Sequence, residues 1–164
     1  MSAETAPAAP ADHAGIRIFP PGVYLLAIGL GWLLHRFWPL RLFPLDWALL
    51  RWVAGAAIFV VGVLLASWAD LVFHRAGTTP IPFRPTTALA FGGPYRFTRN
   101  PMYLGLAIVQ VAAAVLADSV WILALLPLSV WVIRRAVIDK EEAYLTRRFG
   151  EPYREYQTRV RRWL

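Results

Sequence analysis

Two runs in this chain carry residue types that can do chemistry. The first is Gly93-Pro94-Tyr95-Arg96-Phe97-Thr98-Arg99-Asn100-Pro101-Met102-Tyr103-Leu104-Gly105, which sets arginines, tyrosines and an asparagine just ahead of a long apolar segment. Arginine is costly in hydrocarbon, so at the mouth of a membrane helix it is a candidate site residue. The second run extends from Glu141-Glu142 to Tyr156. On a helical wheel Val137, Ile138, Tyr144, Leu145 and Phe149 form one apolar stripe, with Glu141 near its middle and Glu142 at its edge. A carboxylate on a buried face must be paired, used or protonated. The plain structural alternative is an ion pair to Arg134, Arg135 or Arg148, or a helix-end charge.

Local signals say how these residues are held. Gly92-Gly93-Pro94 breaks the chain, and Pro101 suits the first turn of a helix, where its missing N–H costs nothing. Asn100 then falls at the N-cap, where its side chain can accept from a free backbone N–H. A helix N-terminus beside Arg96 and Arg99 is a good place for an anionic group. Tyr103 is expected to face back toward this entrance. The alternative is that these residues are only interfacial anchors. Gln110, in the apolar segment that follows, is either an interhelical hydrogen bond or a pocket residue. In the tail, Gly150 stops one helix and Pro152 starts the next, which with Trp163 and Leu164 reads as interfacial.

The elements that must position these residues are membrane helices. The chain of 164 residues is 58% apolar, with a mean hydropathy of +0.48, too hydrophobic for an ordinary soluble domain. Uncharged apolar stretches run over 18–34, 52–69, 101–117 and 119–133. A spanning helix needs about 20 residues, with a lower limit of ~17, and Arg134 and Arg135 can snorkel to extend the last stretch. The expected fold is therefore all-α and polytopic, with about four transmembrane helices followed by C-terminal amphipathic or interfacial helices. Only Ala117, Asp118 and Ser119 separate the last two spans, which requires a tight antiparallel hairpin.

Three parts follow: a disordered Ala/Pro/Thr-rich tail over 1–17, two N-terminal transmembrane helices over 18–75, and a core over 76–164. The tail lacks the basic start and the cleavage site of a signal peptide. The core opens with a Pro-, Thr- and Gly-rich connection from Ala76 to Gly92, an ordered or semi-ordered loop.

The net charge of +7 comes from sixteen arginines and one lysine, Lys140, against ten acidic residues. In so apolar a chain the counter-charge is anionic lipid and not nucleic acid. Arginines cluster after the second and fourth spans and are absent from the turn at Asp118. The positive-inside rule thus places both basic regions, and with them both termini, in the cytoplasm. Arg36 and Arg41, in the first connection, count weakly against this. There is no cysteine, and His13, His35 and His74 are too scattered for a zinc site, so no metal is expected.

The two runs together resemble the isoprenylcysteine carboxyl methyltransferase and phospholipid methyltransferase superfamily of polytopic membrane enzymes that use S-adenosylmethionine. The likeness rests on Gly93-Pro94-Tyr95-Arg96-x-x-Arg99-Asn100-Pro101-x-Tyr103-x-Gly105, followed by Glu141-Glu142-x-x-Leu145-x-x-x-Phe149-Gly150-x-x-Tyr153-x-x-Tyr156, and covers residues 76–164. It implies catalytic roles for Arg99, Glu141 and Glu142. It implies cofactor contacts for Tyr95, Arg96, Asn100, Pro101, Tyr103, Glu141 and Tyr153. The cofactor site then lies at the cytoplasmic face, and a lipophilic acceptor arrives from the bilayer: an isoprenylcysteine-like carboxylate, a phospholipid amine or a small lipophilic molecule. Asn100 stands where the best-known eukaryotic members have histidine. Asparagine is no base at neutral pH, so this position caps the helix or bonds a ligand. Two other classes share parts of the pattern. A nicotinamide-dependent membrane reductase would be expected to carry extra spans, and a non-catalytic scaffold does not account for the paired runs.

Overall fold

A computed structural model describes residues 15–75, 89 and 91–164, and every regular element among them is helical. The tail expected over 1–17 lies outside the described residues except for its last three, of which Ile16 is buried in the core beside Tyr24 and Ile133. The Ala76–Gly92 connection likewise falls outside, save Leu89, Phe91 and Gly92.

Helix α1 spans Pro20–Phe37 and starts on consecutive prolines, a sequence preset for a first turn. After a short 3₁₀ turn over Leu45–Trp47, α2 runs over Ala48–Arg75. Helix α3 spans Pro101–Leu116, with Pro101 at its first position. The turn to the next helix is made by Asp118 at φ 52°, a left-handed conformation that aspartate tolerates better than most residues. Ser119 caps the new helix by accepting from Ile122 N–H. That helix is continuous from Val120 to Phe149 but irregular. Segment α4 (Val120–Ala124) gives way at Leu125 to α5 (Leu126–Ile133), where Pro127 interrupts the backbone ladder. A five-residue π-helical stretch, Arg134–Ile138, then leads into α6 (Asp139–Phe149). Gly150, at φ 61°, turns the chain into α7 (Glu151–Arg159).

The helices run up and down. A Cβ on Gly105 would lie 2.8 Å from Gly62 O and 2.9 Å from the Ala66 Cβ, so only glycine allows α2 and α3 to come so close. Gly55 meets Leu116 at the other end of the same pair, which makes the packing antiparallel. Tyr24 donates to Tyr103 O at 3.2 Å, Gly31 abuts Ile122, and the Trp121 indole donates to Trp38 O at 2.7 Å. Thus α1 lies parallel to α3 and antiparallel to α4–α5. Gln110 is fully buried and donates to Ile122 O at 3.0 Å, the interhelical bond that was one of its two readings.

Two stretches are long and apolar enough to cross a bilayer, Leu45–Arg75 and Val120–Phe149; α1, with 18 residues, and α3, with 16, are shorter. The outer faces of α1 and α2 are apolar and open, with Leu26 at 74% and Leu49 at 79% exposure. So large an apolar surface belongs against lipid or another apolar partner.

One end of the bundle gathers the N-terminus of α1, the C-terminus of α2, the N-terminus of α3, and α6–α7. Both residue runs lie there.

Candidate active site at the basic end

The first turn of α3 presents Tyr103 and the residues before it toward α6. The Tyr103 hydroxyl donates to Glu141 Oε1 at 2.8 Å. Arg99 reaches Glu142 Oε1 at 3.4 Å, with side chains 13% and 11% exposed. Glu142 thus sits deeper than Glu141, which is half-buried. Both glutamates face the bundle, as a wheel that puts Glu141 near the middle of the apolar stripe and Glu142 at its edge requires.

A third cation closes the cluster. Arg162, beyond α7, donates through Nε to Glu142 Oε1 at 3.1 Å and through Nη2 to Oε2 at 2.5 Å, and its Nη1 lies 3.1 Å from Asp139 Oδ1. The hydrogen bond to Glu142 holds the Arg162 pKa above its ordinary value. Glu142 thus pairs with Arg99 and Arg162, and Arg135, one of the partners weighed for the glutamates, pairs with Asp139. Both oxygens of Glu142 are therefore engaged by guanidinium groups. Breaking so buried a network by removing one partner costs about 3–5 kcal/mol.

Asn100 holds the chain end in place. It stands at the N-cap of α3, but its side chain makes no cap bond. Its Nδ2 donates to Arg162 O at 2.9 Å, and Thr98 Oγ1 donates to the same carbonyl at 3.0 Å. Arg99 N–H donates to Arg161 O at 2.9 Å. The extended segment after α7 is thereby laid along residues 98–100, and Arg162 is aimed at Glu142. Thr98, Asp139 and Arg162 are the residues that sequence reasoning missed. The only available signal was chemical: a buried carboxylate facing a single arginine is short of donors.

The remaining expected residues flank this cluster. Tyr95 is buried, packs edge-on against Phe73 at 5.1 Å, and its carbonyl accepts from Tyr156 at 2.7 Å. Tyr153 is buried with its ring 6.0 Å from that of Tyr156. Burial, and then the nearby Glu142 charge, raise its pKa, with Arg99 acting in the opposite direction. Tyr156 is pushed up to about 12, mainly by burial. Both stay neutral phenols, and Tyr156 serves as a donor. Pro101 is buried and sets the helix start. Arg96 stands apart, exposed in a surface groove with Phe91, Tyr156, Arg159 and Val160.

One group in the cluster has bonding capacity left. Arg99 Nε is buried without a hydrogen-bond partner, as is Arg51 Nε at the other end of the bundle. Orphaned buried donors are rare in native proteins and call for a partner. The described residues hold no group of three metal-ligating side chains.

Comparison with known proteins bears on this cluster. The family described as "Phospholipid methyltransferase" matches residues 50–152, a range that holds α3, both glutamates and Arg99. An "Uncharacterized protein" of Haemophilus influenzae is 39% identical over 64 residues, which is 38% of this chain and 100% of that protein. No solved structure matches. With more than half of its length matched, this chain belongs to the phospholipid methyltransferase family.

Proposed function

We propose that the protein is an S-adenosylmethionine-dependent methyltransferase of the membrane, acting on a lipophilic acceptor at the basic end of the bundle. The observation that carries this reading is the convergence of Arg99 and Tyr103, from the start of α3, with Glu141 and Glu142 of α6 in one buried cluster.

The residues fit the cofactor. Its amino-acid end offers a carboxylate and an ammonium. Arg99, with its orphaned Nε, is placed to hold the carboxylate. Glu141, with one oxygen oriented by Tyr103, is placed to accept from the ammonium or a ribose hydroxyl. Glu142 and Arg162 fix Arg99 and its surroundings. Tyr95, Pro101 and Tyr153 shape the flank, and Asn100 ties down the chain end. S-adenosylmethionine supplies the methyl group, on a sulfonium that needs no further activation. The protein's task is then chiefly to align donor and acceptor and exclude water. A carboxylate acceptor needs no base; an amine or hydroxyl does. Asn100, with its amide turned to Arg162 O, supplies none.

The same reading gives four membrane crossings. Helix α3 lies along α2 from Gly105 to Leu116, and α1 lies along α3 and α4, so if α2 and α4–α5 cross, α1 and α3 share their depth. The sixteen residues of α3 rise about 24 Å, and residues on either side complete the span. The basic end faces the cytoplasm by the positive-inside rule.

Methyl transfer from labelled S-adenosylmethionine into a lipid extract tests the reading. Wild-type protein should label an extractable product, and Arg99→Gln should lower the rate at least tenfold. Equal labelling by the variant would remove Arg99 from the site.

A further inference from the structure

The groove that holds Arg96 includes none of Arg99, Tyr103, Glu141 or Glu142 in its lining, and the methyl-transfer reading leaves it unused. It has a volume of about 390 Å³ and is lined by Phe91, Arg96, Tyr156, Arg159 and Val160. One side is aromatic, with the Phe91 and Tyr156 rings 4.9 Å apart and tilted by 60°. Tyr156 is fixed by its bond to Tyr95 O, so this wall is rigid.

Among the described residues no acidic residue lines the groove, but two arginines do. Arg96 is exposed and makes no ion pair among the described residues. Arg159 makes one, to Glu155 at 3.4 Å, between side chains that are 68% and 64% exposed. Such a pair contributes little, and a stronger acceptor can replace it. Two planar forks opening on one concavity match a tetrahedral oxyanion, which accepts charge-assisted and bidentate bonds from both. Phe91 and Val160 add an apolar side, as suits an anion that carries a carbon arm.

We propose that this groove binds a phosphate ester, with Arg96 and Arg159 on the phosphate oxygens and Phe91 and Val160 against the esterified carbon. Two sources offer that chemistry: the phosphodiester of a membrane lipid and a soluble phosphomonoester. The proposal does not depend on methyl transfer.

The test uses the full chain purified in detergent. Binding is measured by thermal shift and calorimetry with dihexanoyl phosphatidylglycerol, glycerol 3-phosphate and dihexanoylglycerol, the last having no phosphate. The expected result is binding of at least one phosphate ester, no binding of dihexanoylglycerol, and a Kd at least tenfold weaker in Arg96→Gln and in Arg159→Gln. Arg154→Gln, which removes an exposed arginine of α7 outside the groove, should leave the Kd within twofold. Tighter binding of phosphatidylglycerol assigns the groove to lipid headgroups, and equal or tighter binding of glycerol 3-phosphate assigns it to soluble esters; either supports the proposal. It is overturned by no binding of either ester, by equal binding of dihexanoylglycerol, by wild-type affinity in both groove variants, or by an equal loss in Arg154→Gln. S-adenosylmethionine binding by Arg159→Gln is read on the same samples, so loss of the phosphate site and failure of the methyltransferase reading give different patterns.

Discussion

Both ends of the bundle bury a carboxylate beside an arginine whose Nε has no partner, and they differ in what else the carboxylate meets. At the turn end, Asp118 accepts from Leu42 N–H at 2.9 Å and Phe43 N–H at 3.0 Å through Oδ1, and faces Arg51 at 3.6 Å through Oδ2. Each of its oxygens has a partner, two of its three partners come from one connecting segment, and Arg51 in turn lies over the Trp52 ring at 5.5 Å. This is a latch that ties the α1–α2 connection to the α3–α4 turn. At the basic end Glu142 is saturated in the same way, but a second carboxylate, Glu141, lies beside it and accepts from Tyr103. There the elements come from α3, α6 and the chain end. An isolated ion pair that ties two connections together marks structure; two carboxylates, two arginines and a tyrosine hydroxyl converging from separate elements mark a candidate site.

Substitutions can break or sharpen this contrast. The largest effect is expected for Glu142→Ala, which leaves Arg99 and Arg162 facing each other without a counter-charge. Thermal unfolding in detergent should show a loss of about 3–5 kcal/mol together with loss of turnover. Wild-type stability would mean that the cluster does not hold the chain end. Asp118→Ala should cost about 1–3 kcal/mol through its two stranded backbone donors, while S-adenosylmethionine affinity stays within twofold. A tenfold loss of affinity would erase the distinction between the two ends. Tyr103→Phe removes one hydrogen bond, worth about 1 kcal/mol. It should fold and melt near wild type yet turn over at least tenfold more slowly, because Glu141 loses the donor that orients it. Unchanged turnover would make that bond purely structural.

Much of this arrangement was legible before any coordinates. Pro101 marked the start of α3, Gly150 and Pro152 marked the α6–α7 break, and the three residues at 117–119 forced the hairpin. Each is a local signal with a local cause. Tyr103 was expected to face the entrance, and its hydroxyl meets Glu141. What stayed hidden was non-local. Nothing in the stretch from Val160 to Leu164 says that Arg162 crosses to Glu142, because that contact depends on Asn100 and Thr98 capturing its carbonyl. The wide turn over 134–138 was equally hidden, because Arg134-Arg135-Ala136-Val137-Ile138 reads as ordinary helix. The small-residue pair Gly62/Ala66, compatible in sequence with self-association, faces Gly105 within the same chain. The partners of Glu142, Arg99 and Arg162, are distant in sequence and reach it only through the packing of the bundle.

The most direct test is calorimetric titration of the purified protein with S-adenosylmethionine, beside Glu141→Gln. That substitution keeps the shape, leaves the Glu142 network intact, and changes only the carboxylate that Tyr103 orients. The account predicts saturable one-to-one binding by the wild type and at least tenfold weaker binding by a variant that melts at the wild-type temperature. No binding to folded wild-type protein, or equal binding by both, would contradict it.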